Sequence, residues 1–131
     1  MSSKKIAIIA GETSGDIMGS NLIHKLKYLC DDIEIFGIGG KELSKLGLRS
    51  IFPFDKLSFI GPWDIIKNIN SLRKLIKITV DLIIKSKPDI LIIIDCPEFS
   101  HRVAKRVRKV LPEIPIINYV SPTIWAWRQS R

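Results

Sequence analysis

Apolar residues along the chain form short continuous runs that alternate with longer stretches of helical spacing. A run that is apolar at every position predicts a strand buried on both faces, as in a parallel sheet. Apolar residues three or four positions apart predict helices that pack one side against such a sheet. We expect strands at Ile6–Ala10, Ile33–Ile38, Ile90–Ile94 and Ile114–Val120, with a weaker one at Leu48–Phe52. We expect helices at Ile17–Leu29, Lys41–Leu46, Ile65–Lys87 and Glu98–Leu111.

The alternation of strands and helices predicts an α/β protein. Successive βαβ units give a Rossmann-like parallel sheet with helices on both faces. Residues 1–131 have the length of one domain, or of one half of a two-domain protein, and a 46% hydrophobic composition is enough for a hydrophobic core without disulfide bonds or a bound metal. Two cysteines, Cys30 and Cys96, are too few for a disulfide framework or a metal cluster.

The net charge of the chain favours some classes of partner over others. The chain carries 21 Lys and Arg against 13 Asp and Glu, a formal charge of +8. Such an excess favours a polyanionic partner: nucleic acid, nucleotide phosphate or an anionic membrane. The helix Glu98–Leu111 is strongly basic, but only Phe99 supplies an aromatic ring there. A solvated outer face is therefore favoured over a nucleic-acid surface for this helix.

The apolar runs are too short for a membrane span or a signal-peptide core. The densest are Ile6–Ala10 and Ile90–Ile94, each of five residues, and Gly11-Glu12 ends the first. A helix that crosses a bilayer needs about 20 apolar residues. We therefore expect a cytoplasmic protein that can still touch a membrane surface.

Three polar clusters follow three of the expected strands. They are Gly11–Asp16, Asp95–Glu98, and Ser121–Thr123 with Trp125, Trp127 and Arg128 beyond it. Ligands of open parallel sheets bind beyond the carboxyl ends of the strands. All three clusters belong to one rim, so together they predict a binding site there.

The first cluster, Gly11–Asp16, is predicted to be a turn that leads directly into the helix Ile17–Leu29. It is not a P-loop, since no Gly-Lys-Ser/Thr follows, and it lacks the spacing of a dinucleotide fingerprint. Its small residues would let a ligand approach the backbone and the helix-terminal amides. Equally, Ser14 or Asp16 could be an N-cap, with the glycines easing packing of helix on strand.

Asp95 follows five apolar residues and has two interpretations. Partial desolvation at the end of a buried strand raises the pKa of a carboxyl group toward the range of a general base. The alternative is a structural carboxylate that accepts backbone amides from the turn Pro97–Phe99.

The segment Leu57–Lys87 mixes apolar and aromatic side chains with basic ones. Its helical part fits a core-facing helix with a basic outer side. The bulky lead-in Phe59–Trp63 fits that arrangement less well and suits an interfacial surface. Both interpretations stay open, a core-facing helix for the helical part and an interfacial surface for the lead-in.

Three strings of residues carry a family resemblance. They are Gly-Glu-Thr-Ser-Gly-Asp at 11–16, Asp-x-Pro-x-Phe at 95–99 and Tyr-Val-Ser-Pro-Thr-Ile-Trp-Ala-Trp-Arg-Gln at 119–129. Together, and in this order, they resemble the lipid-A-disaccharide synthases. The likeness covers the whole chain but only the front part of the family, whose members are about two to three times longer, with two domains.

The resemblance implies a fold and a reaction. Residues 1–131 would be the acceptor-side, N-terminal half of a GT-B glycosyltransferase, with the C-terminal UDP-sugar-binding domain absent or separately encoded. The family is inverting and metal-independent and uses no cofactor. It joins UDP-2,3-diacylglucosamine to 2,3-diacylglucosamine 1-phosphate (lipid X) and releases UDP. Members work on the inner face of the cytoplasmic membrane, which implies an anionic membrane partner and no nucleic acid.

The resemblance also implies roles for particular residues. Asp95 would be the general base on the acceptor hydroxyl. Substrate-binding positions would be Glu12, Ser14, Asp16, Ser121, Trp125, Arg128 and Gln129. Membrane and acyl-chain docking would fall to Phe59, Trp63, Ile65, Ile66 and Ile69. The alternative is a non-catalytic fragment or a flavodoxin-like binding module.

Overall fold

The computed structural model describes residues 4–30, 32–52, 69–94 and 97–119, which contain four strands and four helices. The four strands are β1 (Lys4–Ala10), β2 (Ile33–Ile38), β3 (Ile90–Ile94) and β4 (Ile116–Tyr119). The four helices are α1 (Thr13–Leu29), α2 (Lys41–Lys45), α3 (Ile69–Ser86) and α4 (Pro97–Val110).

The strands form one parallel sheet in the order β2-β1-β3-β4. In register, Ala10 of β1 lies beside Ile94 of β3, and Ile94 lies beside Tyr119 of β4. The chain lays β2 on one side of β1 and then crosses to β3 on the other side. The strand order therefore reverses between β1 and β3, and the carboxyl ends of these two strands define the crevice where ligands bind in such sheets.

Helices cover both faces of the sheet, as predicted. On the α1/α2 face, Ile8 of β1 and Ile94 of β3 are fully buried with Ile23 of α1 and Leu43 of α2. On the α3/α4 face, buried side chains of the sheet pack with two helical sets: Leu72, Ile76, Val80 and Ile83 from α3, and Phe99, Val103 and Val107 from α4. Burial on both faces explains why β1 and β3 are apolar at nearly every position.

Strands β2 and β3 have the predicted bounds, β1 begins two residues earlier than predicted, and the ends of α2 and α4 each differ by one residue. Three further differences are informative. Helix α1 begins at Thr13, four residues before the predicted start. The expected strand Leu48–Phe52 is reduced to one parallel bridge between Gly37 and Ser50, supported by the Ile51 amide donating to the Gly37 carbonyl at 2.7 Å. Strand β4 starts at Ile116, because Pro115 has no N–H and contributes only its carbonyl, which accepts from Leu91.

Gly37 marks where β2 comes closest to β1. Its φ is +133°, a region that side chains rarely adopt. A Cβ placed there would lie 2.0 Å from the backbone oxygen of Ile8. Only glycine fits at this position, where β2 pairs with Ile8 of β1 and also forms the bridge to Ser50.

Candidate functional site

The candidate site is the rim at the carboxyl ends of β1 and β3. Ala10 and Ile94, the last residues of these strands, are both fully buried and lie side by side. Gly11 and Glu12 follow Ala10 directly, and Asp95 follows Ile94 in the sequence. The strand order reverses at this position, so the polypeptide that leaves these two strands borders the expected crevice.

Helix α1 starts on this rim earlier than the sequence predicts. Glu12 is its N-cap, with an extended backbone (φ −141°, ψ 163°) and no side-chain capping bond. The Asp16 amide donates to the Glu12 carbonyl at 2.9 Å and closes the first turn. The prediction of a turn over Gly11–Asp16 is therefore wrong for residues 13–16. Ser14 and Asp16 lie inside α1, so the proposal that one of them caps this helix is wrong as well.

Asp16 instead joins α1 to the start of α2. Its Oδ1 accepts hydrogen bonds from the amides of Gly40 at 2.8 Å and Leu43 at 3.1 Å. Its Oδ2 accepts from the amide of Glu42 at 2.9 Å. The Asp16 side chain is 3% exposed. One carboxylate thus satisfies three of the amides that a helix leaves without intrahelical partners at its amino end.

This arrangement fixes the start of α2 against α1. Gly40 is the N-cap of α2 and carries no side chain that could cap the helix itself. The negative charge of Asp16 also faces the positive end of the α2 backbone dipoles. Periodicity could not reveal the contact, because its partners lie 24 to 27 residues further along the chain. The sequence does contain one signal for this contact, the pair Gly39-Gly40 before a short helix. Glycine has no side chain that could cap the helix, so the amides at its start need an acceptor from elsewhere in the chain.

Helix α1 approaches the sheet closely beneath this rim. A Cβ on Gly19 would meet the Cδ1 atoms of Ile8 and Ile94 at 3.1 Å and that of Leu43 at 3.3 Å. A glycine at this position brings the start of α1 down onto the ends of β1 and β3. The prediction that glycines ease packing of helix on strand is confirmed at Gly19.

The comparisons with known proteins match this chain along almost its whole length. The family model for lipid-A-disaccharide synthetase matches residues 6–131. The chain belongs to the lipid-A-disaccharide synthetase family. The resemblance stated from the three sequence strings is thereby confirmed.

Curated relatives in this family are about three times longer than the chain. The lipid-A-disaccharide synthase of Nitrobacter hamburgensis is 45% identical over 131 residues, which are 99% of this chain and 33% of the relative. That of Rhodopseudomonas palustris (strain HaA2) is 45% identical over 129 residues, 98% of this chain and 33% of the relative. That of Rickettsia bellii (strain OSU 85-389) is 44% identical over 129 residues, 98% of this chain and 34% of the relative. The chain spans about one third of the length of these proteins.

The family resemblance implies a set of site residues, of which three lie at the described rim. Glu12 and Ser14 are exposed at the start of α1, and the Asp16 carboxylate is engaged with α2. Predictions for Asp95, Ser121, Trp125, Arg128 and Gln129 fall outside the described residues. Their roles, and a substrate contact by Asp16, stay predictions.

Among the docking residues that the resemblance implies, Ile69 is described. It is half-buried at the start of α3 and packs against the core of the α3/α4 face. Phe59, Trp63, Ile65 and Ile66 fall outside the described residues. None of the helices in the described ranges is long and apolar enough to span a membrane.

The structure also has a cavity at the other end of the sheet, away from the rim. It has a volume of about 440 Å³ and is lined by Lys5, Glu34, Arg49 and neighbouring residues. Lys5 and Glu34 lie near the amino ends of β1 and β2, the opposite end of the sheet from Ala10 and Ile94. Across residues 4–30, 32–52, 69–94 and 97–119, no three metal-ligating side chains come together.

Proposed function

We propose that this chain is the acceptor-side domain of an inverting glycosyltransferase that makes the lipid A disaccharide. The reaction joins UDP-2,3-diacylglucosamine to lipid X and releases UDP. The observation that carries the proposal is family membership along 126 of the 131 residues, from Ile6 onward. A rim with two exposed polar residues at the strand-order reversal supports it, because acceptor and donor must meet at such an edge.

In the proposed reaction, Asp95 acts as the general base. A hydroxyl oxygen of lipid X attacks the anomeric carbon of the donor sugar. The bond from that carbon to the UDP oxygen breaks on the opposite face, and the configuration inverts. The hydroxyl proton passes to the Asp95 carboxylate, and the electron pair of the broken bond leaves with UDP. Asp95 follows Ile94 in the sequence, and Ile94 lies beside Ala10 at the end of β1, which supports this assignment.

The remaining rim residues would bind and orient the substrates. Glu12 and Ser14 offer an acceptor and a hydroxyl donor on the first turn of α1. We propose that Ser121, Trp125, Arg128 and Gln129 line the same cleft, with Arg128 toward a phosphate group. Asp16 would act on the substrate indirectly, by holding α1 and α2 in position, since its oxygens already accept hydrogen bonds from three amides.

Both substrates are lipids, so the protein should work at a membrane surface. We propose peripheral attachment to the inner face of the cytoplasmic membrane. The apolar residues Phe59, Trp63, Ile65, Ile66 and Ile69 would bind the interface and the acyl chains.

A glycosyl-transfer assay with and without the rest of a relative tests the proposal. Residues 1–131 would replace the matching third of the Rickettsia bellii protein, which is 44% identical to this chain. We expect the chimera to form disaccharide and UDP from lipid X and the UDP-sugar. We expect no turnover from this chain alone, because transition-state stabilisation needs both substrate sites.

The control is the remaining two thirds of the relative without this chain, which should be inactive. A folded chimera that binds lipid X without transferring sugar would contradict the proposal and favour a binding module. Disaccharide formed by the 131-residue chain alone would contradict the expected dependence on a second domain.

A further inference from the structure

The outer side of the α3/α4 face carries a dense group of positive charges. Helices α3 and α4 pack side by side on one face of the sheet, so their exposed residues point to the same side of the molecule. The exposed cationic residues are Arg73, Lys74, Lys77 and Lys85 of α3 and Arg102, Lys105, Arg106, Arg108 and Lys109 of α4. Within the described side chains of these two helices, Asp81 is the exposed acidic residue.

Among the described residues, most of these cations form no ion pair with an acidic side chain. Arg108 donates to the carbonyls of Pro112 and Ile114, both at 2.7 Å, and so fastens the end of α4. In the part of the chain that the structure describes, the ion pair that forms is Lys45–Glu42, on α2. The eight other cations, which we call the cationic face, therefore repel one another across two neighbouring helices.

The opposite side of the same sheet is much less charged. Exposed cations of α1 and α2 are Lys25, Lys41 and Lys45, and Lys45 pairs with Glu42. The exposed Glu12 lies at the start of α1. The positive excess of the described residues is thus concentrated on one side, which is the distribution that a planar anionic surface attracts.

The side chains between the charges distinguish a membrane from a nucleic acid. Phe99 is fully buried, and the ring that α3 and α4 do expose is the single imidazole of His101. These helices therefore offer no row of aromatic rings on which successive bases could stack. Ile78 is 49% exposed and lies four residues after Lys74 on the same side of α3. An apolar side chain among lysines suits the headgroup layer of a bilayer.

We propose that the cationic face is an electrostatic docking surface for an anionic phospholipid bilayer. This inference rests on the membrane part of the proposed function and specifies a surface for it, distinct from the Phe59–Ile69 segment. Helix α3 begins at Ile69, the last residue of that segment, so the two surfaces adjoin in sequence. The lysines and arginines would supply long-range attraction, and Ile78 would enter the headgroup layer.

Vesicle binding with a charge-matched control tests the proposal. The probes are vesicles of phosphatidylglycerol mixed with phosphatidylcholine, and vesicles of phosphatidylcholine alone. We expect the wild-type chain to bind only the anionic vesicles, and less at high salt. Each cation near such a surface strengthens binding about fivefold, so Lys77→Gln with Lys105→Gln should weaken partitioning about 30-fold.

The control is Lys25→Gln with Lys41→Gln, which removes the same charge from exposed residues of the α1/α2 face. Far-UV circular dichroism checks that every variant is folded. The control should bind as tightly as the wild type. Equal weakening in both double variants would overturn the proposal, because net charge alone would then explain the binding.

Two further outcomes would also overturn it. Failure of the wild type to bind anionic vesicles would remove this inference and the membrane part of the proposed function. The transfer assay in detergent would still test the glycosyltransferase itself. Binding to duplex DNA that falls in the Lys77 and Lys105 variant, without vesicle binding, would make the cationic face a nucleic-acid surface.

Discussion

Replacing Asp16 tests the contact that joins α1 to the start of α2. Asp16→Ala removes an acceptor from three amides at once: those of Gly40 and Leu43, which are buried, and that of Glu42, which is half-buried. Loss of a capping side chain costs about 1 kcal/mol. A buried donor left without a partner costs about 1–3 kcal/mol.

Water can reach the half-buried Glu42 amide more easily than the other two. We therefore expect Asp16→Ala to lower the free energy of unfolding by about 3 kcal/mol, a large part of the 5–15 kcal/mol typical of a domain. Asp16→Asn keeps one oxygen but places an NH₂ group against an amide donor. We expect a smaller loss, about 1–2 kcal/mol.

Urea denaturation followed by far-UV circular dichroism measures these losses, with an unchanged slope as the sign that only stability has changed. Asp32→Asn is the control, because the exposed Asp32 lies at the amino end of the sheet, where its carbonyl accepts from Lys4. It should change stability by less than about 0.5 kcal/mol. Amide exchange at Gly40 and Leu43 should quicken only in the Asp16 variants. If Asp16→Ala matched the control in both measurements, the carboxylate would not hold α2 in place.

Two further pairs of variants test the packing around the sheet by the same denaturation assay. Gly37→Ala should cost more than about 3 kcal/mol or prevent folding, because its Cβ would lie 2.0 Å from the Ile8 oxygen. Gly47→Ala, also at positive φ but with open space around it, should cost only about 1 kcal/mol, and equal losses would refute the clash. Phe99→Ala should cost about 3–5 kcal/mol because the ring is fully buried. Tyr28→Ala, 87% exposed, should stay within about 0.5 kcal/mol; similar losses in the two variants would contradict the assigned core.

The two central strands, β1 and β3, were predictable because they are buried on both faces. Such burial leaves an unbroken apolar run, as in Ile90–Ile94, and the bounds follow from where the run stops. The residues Leu48–Phe52 lack such a run, and only Ser50 pairs with β2. The local pattern was therefore informative where the apolar run is continuous, and uninformative at Leu48–Phe52, where it is broken.

The start of α1 shows why part of the site could not be predicted. Gly, Ser and Thr near residue 13 have low helix propensity and read as a turn. The first turn forms nevertheless, beside the Asp16 contact with α2 and the close packing of Gly19 on the sheet. Both contacts join residues distant in sequence. The sequence was enough to place Glu12 on the rim, because Glu12 comes two residues after the apolar run of β1. The residue strings at 11–16, 95–99 and 119–129 were enough to identify the family.

The most direct test of the proposed function is turnover of the chimera with Asp95→Asn. Asn keeps the shape of the side chain but cannot take the proton of the acceptor hydroxyl. A positioned general base contributes roughly 10²–10⁴-fold, so turnover should fall at least about 100-fold while the urea midpoint stays unchanged. Asp32→Asn in the same chimera should retain turnover. Near-normal turnover per folded Asp95→Asn molecule would contradict the account and move the base to Glu12, the exposed carboxylate of the described rim.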